Sequence, residues 1–128
     1  MTVQRPKVMC FSGAALLALS CFSWASIAQK PPVADQASII QGQALYKRHC
    51  LLCHGEKGMG DGPATKTMKE KPPNITDKAV MAKLTDDEIF ALITKGKKVE
   101  MTAMPPFERK LTEAERWQVI SFVRTLSR

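Results

Sequence analysis

Apolar and polar positions recur at helical spacing over three stretches of this chain, and nowhere alternate as a strand would. In the first, Ile39, Gly42, Leu45 and Tyr46 place apolar or small side chains about one turn apart, from a cap at Asp35 to about His49. In the second, Ile89, Phe90, Leu92 and Ile93 form the buried side of a helix. Thr85-Asp86-Asp87-Glu88 opens it as a capping box, and Gly96 suits its end. In the third, Thr112-Glu113-Ala114-Glu115 is another capping box. Trp117, Val119, Ile120, Phe122, Val123 and Leu126 then give a broad apolar face. Arg124 and Arg128 sit at the end where a helix dipole favours positive charge. Residues 55–73 read as loop, rich in Gly and Pro, with room for a helical turn or two over Thr65 to Lys71. The pattern predicts an all-α fold with no substantial sheet.

The N-terminus has a different character. Arg5 and Lys7 precede an apolar run from Val8 to Trp24, and Ser26-Ile27-Ala28 resembles a small-x-small cleavage site. Residues 1–28 therefore read as a cleavable secretory signal. Residues 29–36, opened by Lys30-Pro31-Pro32, read as a flexible lead-in, and 37–128 as one folded domain. Two alternatives keep the chain on a membrane. The run is near the lower limit for crossing a bilayer, about 17–25 residues, and Cys21 follows Ala18-Leu19-Ser20 as a lipidation site would. Leu19 suits such a signal poorly. No arginine pair marks folded export.

Cleavage after Ala28 leaves 100 of the 128 residues. A domain that small buries a modest core and often completes it with a metal or cofactor. Arg5 and Lys7 leave with the signal, so the net charge falls from +7 to +5. A basic exported protein does not ordinarily meet nucleic acid. The balance suits either a solvated surface or a lysine-bearing face for an acidic protein partner. Lys57, Lys66, Lys69, Lys71, Lys95, Lys97 and Lys98 are the candidates for that face.

Cleavage also changes the cysteine count. Of Cys10, Cys21, Cys50 and Cys53, only the last two remain, in Cys50-Leu51-Leu52-Cys53-His54. C-x-x-C-H reads as a c-type haem attachment site. Two thiols add across the two vinyl groups of one haem, and the histidine that follows binds the iron. A thioredoxin-like pair would need a βαβ pattern, which is not visible. A zinc site would need two further ligands, and the only other histidine is His49.

The iron's other face needs a ligand from a distant segment. His49 is too close in sequence to reach round the ring, which leaves a methionine or an open position. Met104 lies in Thr102-Ala103-Met104-Pro105-Pro106-Phe107, between two predicted helices, where two prolines fix the backbone behind it. Methionines are more often core fillers, but in this setting Met104 is the preferred axial ligand and Met101 the reserve. Met59 is too near His54 to cross the plane.

The order of these motifs resembles the class I monohaem cytochromes c of bacterial type, over about Gln36 to Leu126. The resemblance rests on Gly42-x-x-Leu45-Tyr46, Cys50 to Gly55, Gly60-Asp61-Gly62-Pro63 and Pro72-Pro73-Asn74-Ile75-Thr76-Asp77. Met104-Pro105-Pro106-Phe107 and the run from Glu115 to Leu126 complete it. It implies a small cytochrome c fold, three core helices packed around one covalently bound haem c, with His54 and Met104 as axial ligands. It implies that Gly42 lets the first helix cross closely over Phe122. It also implies that the carbonyl of Pro63 accepts the free N–H of His54, fixing the ring. Phe122 stands where a tyrosine is common, a change expected to keep the packing and lose a hydroxyl.

The function expected is that of a periplasmic one-electron carrier, not an enzyme, passing electrons between partners of a respiratory chain. A methionine ligand and an apolar pocket both favour ferrous iron, so the carrier would work at high potential. Its partners are redox proteins with an acidic docking face. It would be a monomer when free and would not insert in a membrane after cleavage. Two alternatives remain: a fixed haem c subunit of a larger dehydrogenase or reductase complex, and a haem enzyme or gas sensor with an open coordination site.

Overall fold

A computed structural model describes residues 35–99 and 102–127. The signal 1–28, nearly all of the lead-in, and Met101 lie outside the described residues. Among the described residues, no helix is long and apolar enough to cross a membrane.

The three expected helices form where their caps stand. Helix α1 (Gln36–His49) starts at Asp35, whose carboxylate accepts from the Ser38 N–H at 3.0 Å. Helix α2 (Leu51–His54) follows after Cys50. A 3-10 turn covers Pro63–Thr67, and the one-turn helix α3 (Lys78–Met81) is capped by Asp77. Helices α4 (Asp86–Lys95) and α5 (Glu113–Leu126) both open on complete capping boxes. In α4 the Thr85 N–H donates to Glu88 at 2.7 Å, and in α5 the Thr112 N–H donates to Glu115 at the same distance. These bonds hold both carboxyls below the usual carboxylate range.

The fold is the small all-α architecture expected, with one addition. Between α4 and α5 the chain forms an antiparallel ribbon, β1 (Lys97–Val99) and β2 (Thr102–Met104), in the register Lys97 to Met104 and Val99 to Thr102. Three-residue strands carry no alternation long enough to read.

The core is the crossing of α1 over α5. A Cβ at Gly42 would overlap the carbonyl oxygen of Gln118 and lie 3.1 Å from Phe122 Cβ. The close approach expected at this glycine is therefore made, and it bears on α5 backbone as much as on Phe122. One turn on, the Tyr46 ring packs on Phe122 at 5.2 Å and a 58° tilt. The hydroxyl of this aromatic pair comes from α1, where the Tyr46 hydroxyl donates to the Gly55 carbonyl at 2.8 Å. Helix α4 packs on α5 through a stack of Phe90 on Trp117 at 4.4 Å, and the Arg116 guanidinium covers the outer ring at 4.9 Å.

Arg124 does more than offset a helix dipole. Its Nε donates to Asp86 Oδ1 at 2.7 Å, Nη1 to the Met81 carbonyl at 2.9 Å and Nη2 to the Leu84 carbonyl at 2.6 Å. One side chain thus ties α5 to the α3–α4 junction through a fork that lysine cannot copy. Arg124→Ala leaves a carboxylate and two carbonyls without their donor. Hydrogen bonds to charged groups are each worth about 1.5–3 kcal/mol. The group is partly exposed, so we expect a net loss of about 2–3 kcal/mol, read as a lower urea midpoint at unchanged m. Arg124→Lys should recover less than half of it.

Candidate functional site

Cys50, Leu51, Leu52, Cys53 and His54 form a single helical turn. The N–H of Cys53 donates to the Cys50 carbonyl at 3.1 Å, and that of His54 to the same carbonyl at 2.9 Å. Residues three and four apart share a helix face, so both thiols and the imidazole point the same way. All three line one cavity of about 620 Å³. Leu52 lies at its rim and is 61% exposed.

The loop after the turn is bound back onto it. Gly55 ends the turn at φ +80° with its N–H on the Leu51 carbonyl at 2.9 Å. Tyr46, fully buried, takes the Gly55 carbonyl. The Gly60 N–H then reaches the His54 carbonyl at 2.9 Å, and the Gly62 N–H reaches that of Cys53 at 3.2 Å. The backbone that carries the three side chains is therefore held from both sides.

Met104 reaches the same cavity from the end of β2, fifty residues along the chain. The segment behind it is anchored: Phe107 is buried, and its N–H donates to the Ile93 carbonyl at 3.0 Å. Ile89 and Ile93 of α4 and Val119 and Val123 of α5 supply apolar wall. The structure thus brings Cys50, Cys53, His54 and Met104 around one space. It also brings Met68 and Met81 there, which the sequence reading passed over. Met81 is almost fully buried. The cap at Asp77, donor-satisfied by Ala79 and Val80 N–H groups, was the available signal for the turn that carries it.

Pro63 is placed differently from expectation. His54 Nδ1 is buried and makes no hydrogen bond, so the Pro63 carbonyl is not its acceptor in this structure. Pro63 is exposed and opens the 3-10 turn, whose i to i+3 geometry directs carbonyls along its own axis.

Burial pushes His54 below the ordinary histidine range. It is therefore neutral at pH 7, which is the metal-binding form of imidazole. Burial, with Cys53 beside it, pushes the Cys50 thiol up to about 12. Neither cysteine is in a disulfide. Among the described residues, no three His, Cys, Asp or Glu side chains gather as a site for a bare ion, so a zinc reading finds no further ligands there. Two thiols on the same helix face with His54 beside them, and a large apolar cavity that also holds a thioether, fit a covalently held haem.

The cavity mouth is charged. Lys71 and Lys97, two of the seven lysines expected near the haem, line it; the other five are exposed and do not. Arg48, Glu70 and Lys110 line it as well, and Lys110 Nζ lies 5.7 Å above the Phe107 ring.

Comparison with known proteins adds relatives to this geometry. The profile of the family described as cytochrome C oxidase, cbb3-type, subunit III matches residues 37–123. The solved KustC0563 c-type cytochrome is 31% identical at a TM-score of 0.55; the alignment covers 68% of this chain and 98% of that one. A chain of the Kuenenia stuttgartiensis reducing HAO-like protein complex Kustc0457/Kustc0458 is 24% identical at a TM-score of 0.63. There the alignment covers 78% of this chain and 49% of that one, so the likeness is one of fold over about half of the larger chain. No curated protein matches.

Proposed function

The chain belongs to the cytochrome c family described as cytochrome c oxidase, cbb3-type, subunit III, and from that we propose that it is a monohaem one-electron carrier of class I type. The observation that carries the proposal is the convergence of Cys50, Cys53, His54 and Met104 on one apolar cavity. Cys50 and Cys53 would hold one haem c covalently, and His54 and Met104 would bind its iron. When bound, the haem supplies the ferric–ferrous couple. The chain's own residues set the terms of that couple. An imidazole and a thioether that both bound the iron would leave it no open position, which would favour electron transfer over substrate binding. The walls from α4 and α5 exclude water, and a methionine ligand raises the potential. The protein is thus read as a carrier and not an enzyme, with redox proteins as its partners.

A second reading is a fixed haem subunit. The family's own description is that of an oxidase subunit, and one structural relative comes from a multi-protein complex. Export to the periplasm, with cleavage after Ala28, belongs to the carrier reading. One preparation from the native host tests these together. A free carrier should elute alone from a sizing column, keep haem stain after denaturing electrophoresis, and have a mass that starts at Gln29 and includes one haem. Elution with partners selects the fixed subunit. A mass that retains residues 1–28 or a lipid at Cys21 selects membrane anchoring. Colour lost to acid–organic extraction would remove the covalent haem altogether.

A further inference from the structure

The backbone that carries Met104 rests on the last turn of α4, and the two meet at Gly96. Gly96 ends α4 at φ +70°, with its N–H on the Leu92 carbonyl at 2.8 Å. A Cβ there would overlap the Met104 carbonyl oxygen and lie 2.9 Å from both the Pro105 carbonyl carbon and the Pro106 nitrogen. Every one of these neighbours is backbone, so no side chain can swing aside. Further bonds hold the segment in place. Lys97 pairs with Met104 across the ribbon, and the Phe107 N–H and Glu108 N–H donate to the Ile93 and Thr94 carbonyls at 3.0 and 3.4 Å. Pro105 and Pro106 have fixed φ angles, so a push from position 96 passes to Met104 instead of being absorbed behind it.

We propose that Gly96 is a positioning residue for the sixth coordination position: the absence of a side chain at 96 sets how far Met104 reaches into the cavity. This rests on the reading of Met104 as axial ligand. It differs from the ordinary role of glycine as a helix terminator. At φ +70° and ψ −176° Gly96 lies outside the left-handed helical region that asparagine accepts, in one essentially reserved for glycine, so a substitution is strained in the backbone as well as by its contact with Met104. The overlap with Met104 arises from any Cβ, so alanine and asparagine should fail alike.

The test uses haem-loaded protein and three readouts: the ferric sulfur-to-iron charge-transfer band, carbon monoxide binding by the ferrous form, and the urea midpoint. Gly96→Ala and Gly96→Asn should both weaken the band. Both should also raise carbon monoxide affinity by about five- to 150-fold, the range set by displacing one strained backbone position. The urea midpoint shows that each variant is folded under the conditions where the band and carbon monoxide binding are read. Met104→Ala gives the limit of full ligand loss, and adding Gly96→Ala to it should change carbon monoxide affinity no further. Retention of the band by either Gly96 variant, while Met104→Ala loses it, overturns the positioning role and leaves the ligand reading standing. A further rise in the double variant also overturns it, because Gly96 would then act on the cavity and not through Met104. An unchanged spectrum in Met104→Ala overturns the ligand reading, and the proposal with it.

Discussion

Replacing Met104 with alanine is expected to remove the charge-transfer band of the ferric protein, shift the iron toward high spin and lower the reduction potential. The thioether favours ferrous iron, and axial ligands move haem potentials over a range of about 0.8 V. The drop should therefore be among the largest that any single substitution in this chain produces. Ferrous protein should then bind carbon monoxide readily. Met101→Ala, three residues earlier, is the sequence-based control and should leave the spectrum nearly unchanged. The structure supplies two more, since Met68 and Met81 also line the cavity. Met81→Ala removes a buried side chain, so it should cost stability, about 2–5 kcal/mol, while sparing the band. Met68→Ala should spare both. If loss of the band follows any of these three in place of Met104, that residue is the ligand. If none affects the band, the iron has an open or different sixth position, and the enzyme or sensor reading moves ahead of electron carriage.

The parts of this molecule that were legible in the sequence are those written locally. Asp35, Thr85 and Thr112 each cap a helix through the residue three positions on, so the beginnings of α1, α4 and α5 needed no tertiary information. Cys50, Cys53 and His54 share a face because they share a turn, and five residues suffice to say so. What was not legible depends on contacts distant in sequence. The ribbon exists through pairing of Lys97 with Met104, not through any property of Lys97-Lys98-Val99 alone. Arg124 looked like a helix-end charge because its acceptors, Asp86 and the carbonyls of Met81 and Leu84, are about forty residues away. Tyr46 looked like a plain apolar position until its hydroxyl was found on Gly55. The bond expected from Pro63 was an inference from resemblance, and the structure leaves that imidazole nitrogen unpaired.

The crossing at Gly42 allows a prediction in which the sign alone is decisive. Gly42 lies inside α1. In a helix free of neighbours, Gly→Ala stabilises by roughly 1 kcal/mol, because alanine loses less backbone entropy on folding. Here the added methyl would overlap the Gln118 carbonyl, a backbone atom in the middle of α5. Either the helices move apart, which loosens Tyr46 on Phe122, or α1 slides along α5. Overpacking of this kind costs typically about 1–3 kcal/mol and occasionally more. With rigid backbone on the receiving side we expect Gly42→Ala to lose about 3 kcal/mol net. For a domain of this size that is a fall in Tm of roughly 12–24 °C, followed by far-ultraviolet circular dichroism. The thioether bonds survive melting, so the haem stays attached and the visible spectrum reports ligand loss separately. Ser38 is nearly buried one turn earlier in α1, and Ala44, exposed on the opposite side, offers the comparison. Ala44→Gly should cost only its helix propensity, about 1 kcal/mol. A Gly42→Ala protein that melts at or above the wild-type temperature would mean that α1 and α5 do not cross at this distance. Tyr46 would then be free to leave Gly55, and the backbone support of His54 would have to come from the Gly60 and Gly62 amides alone.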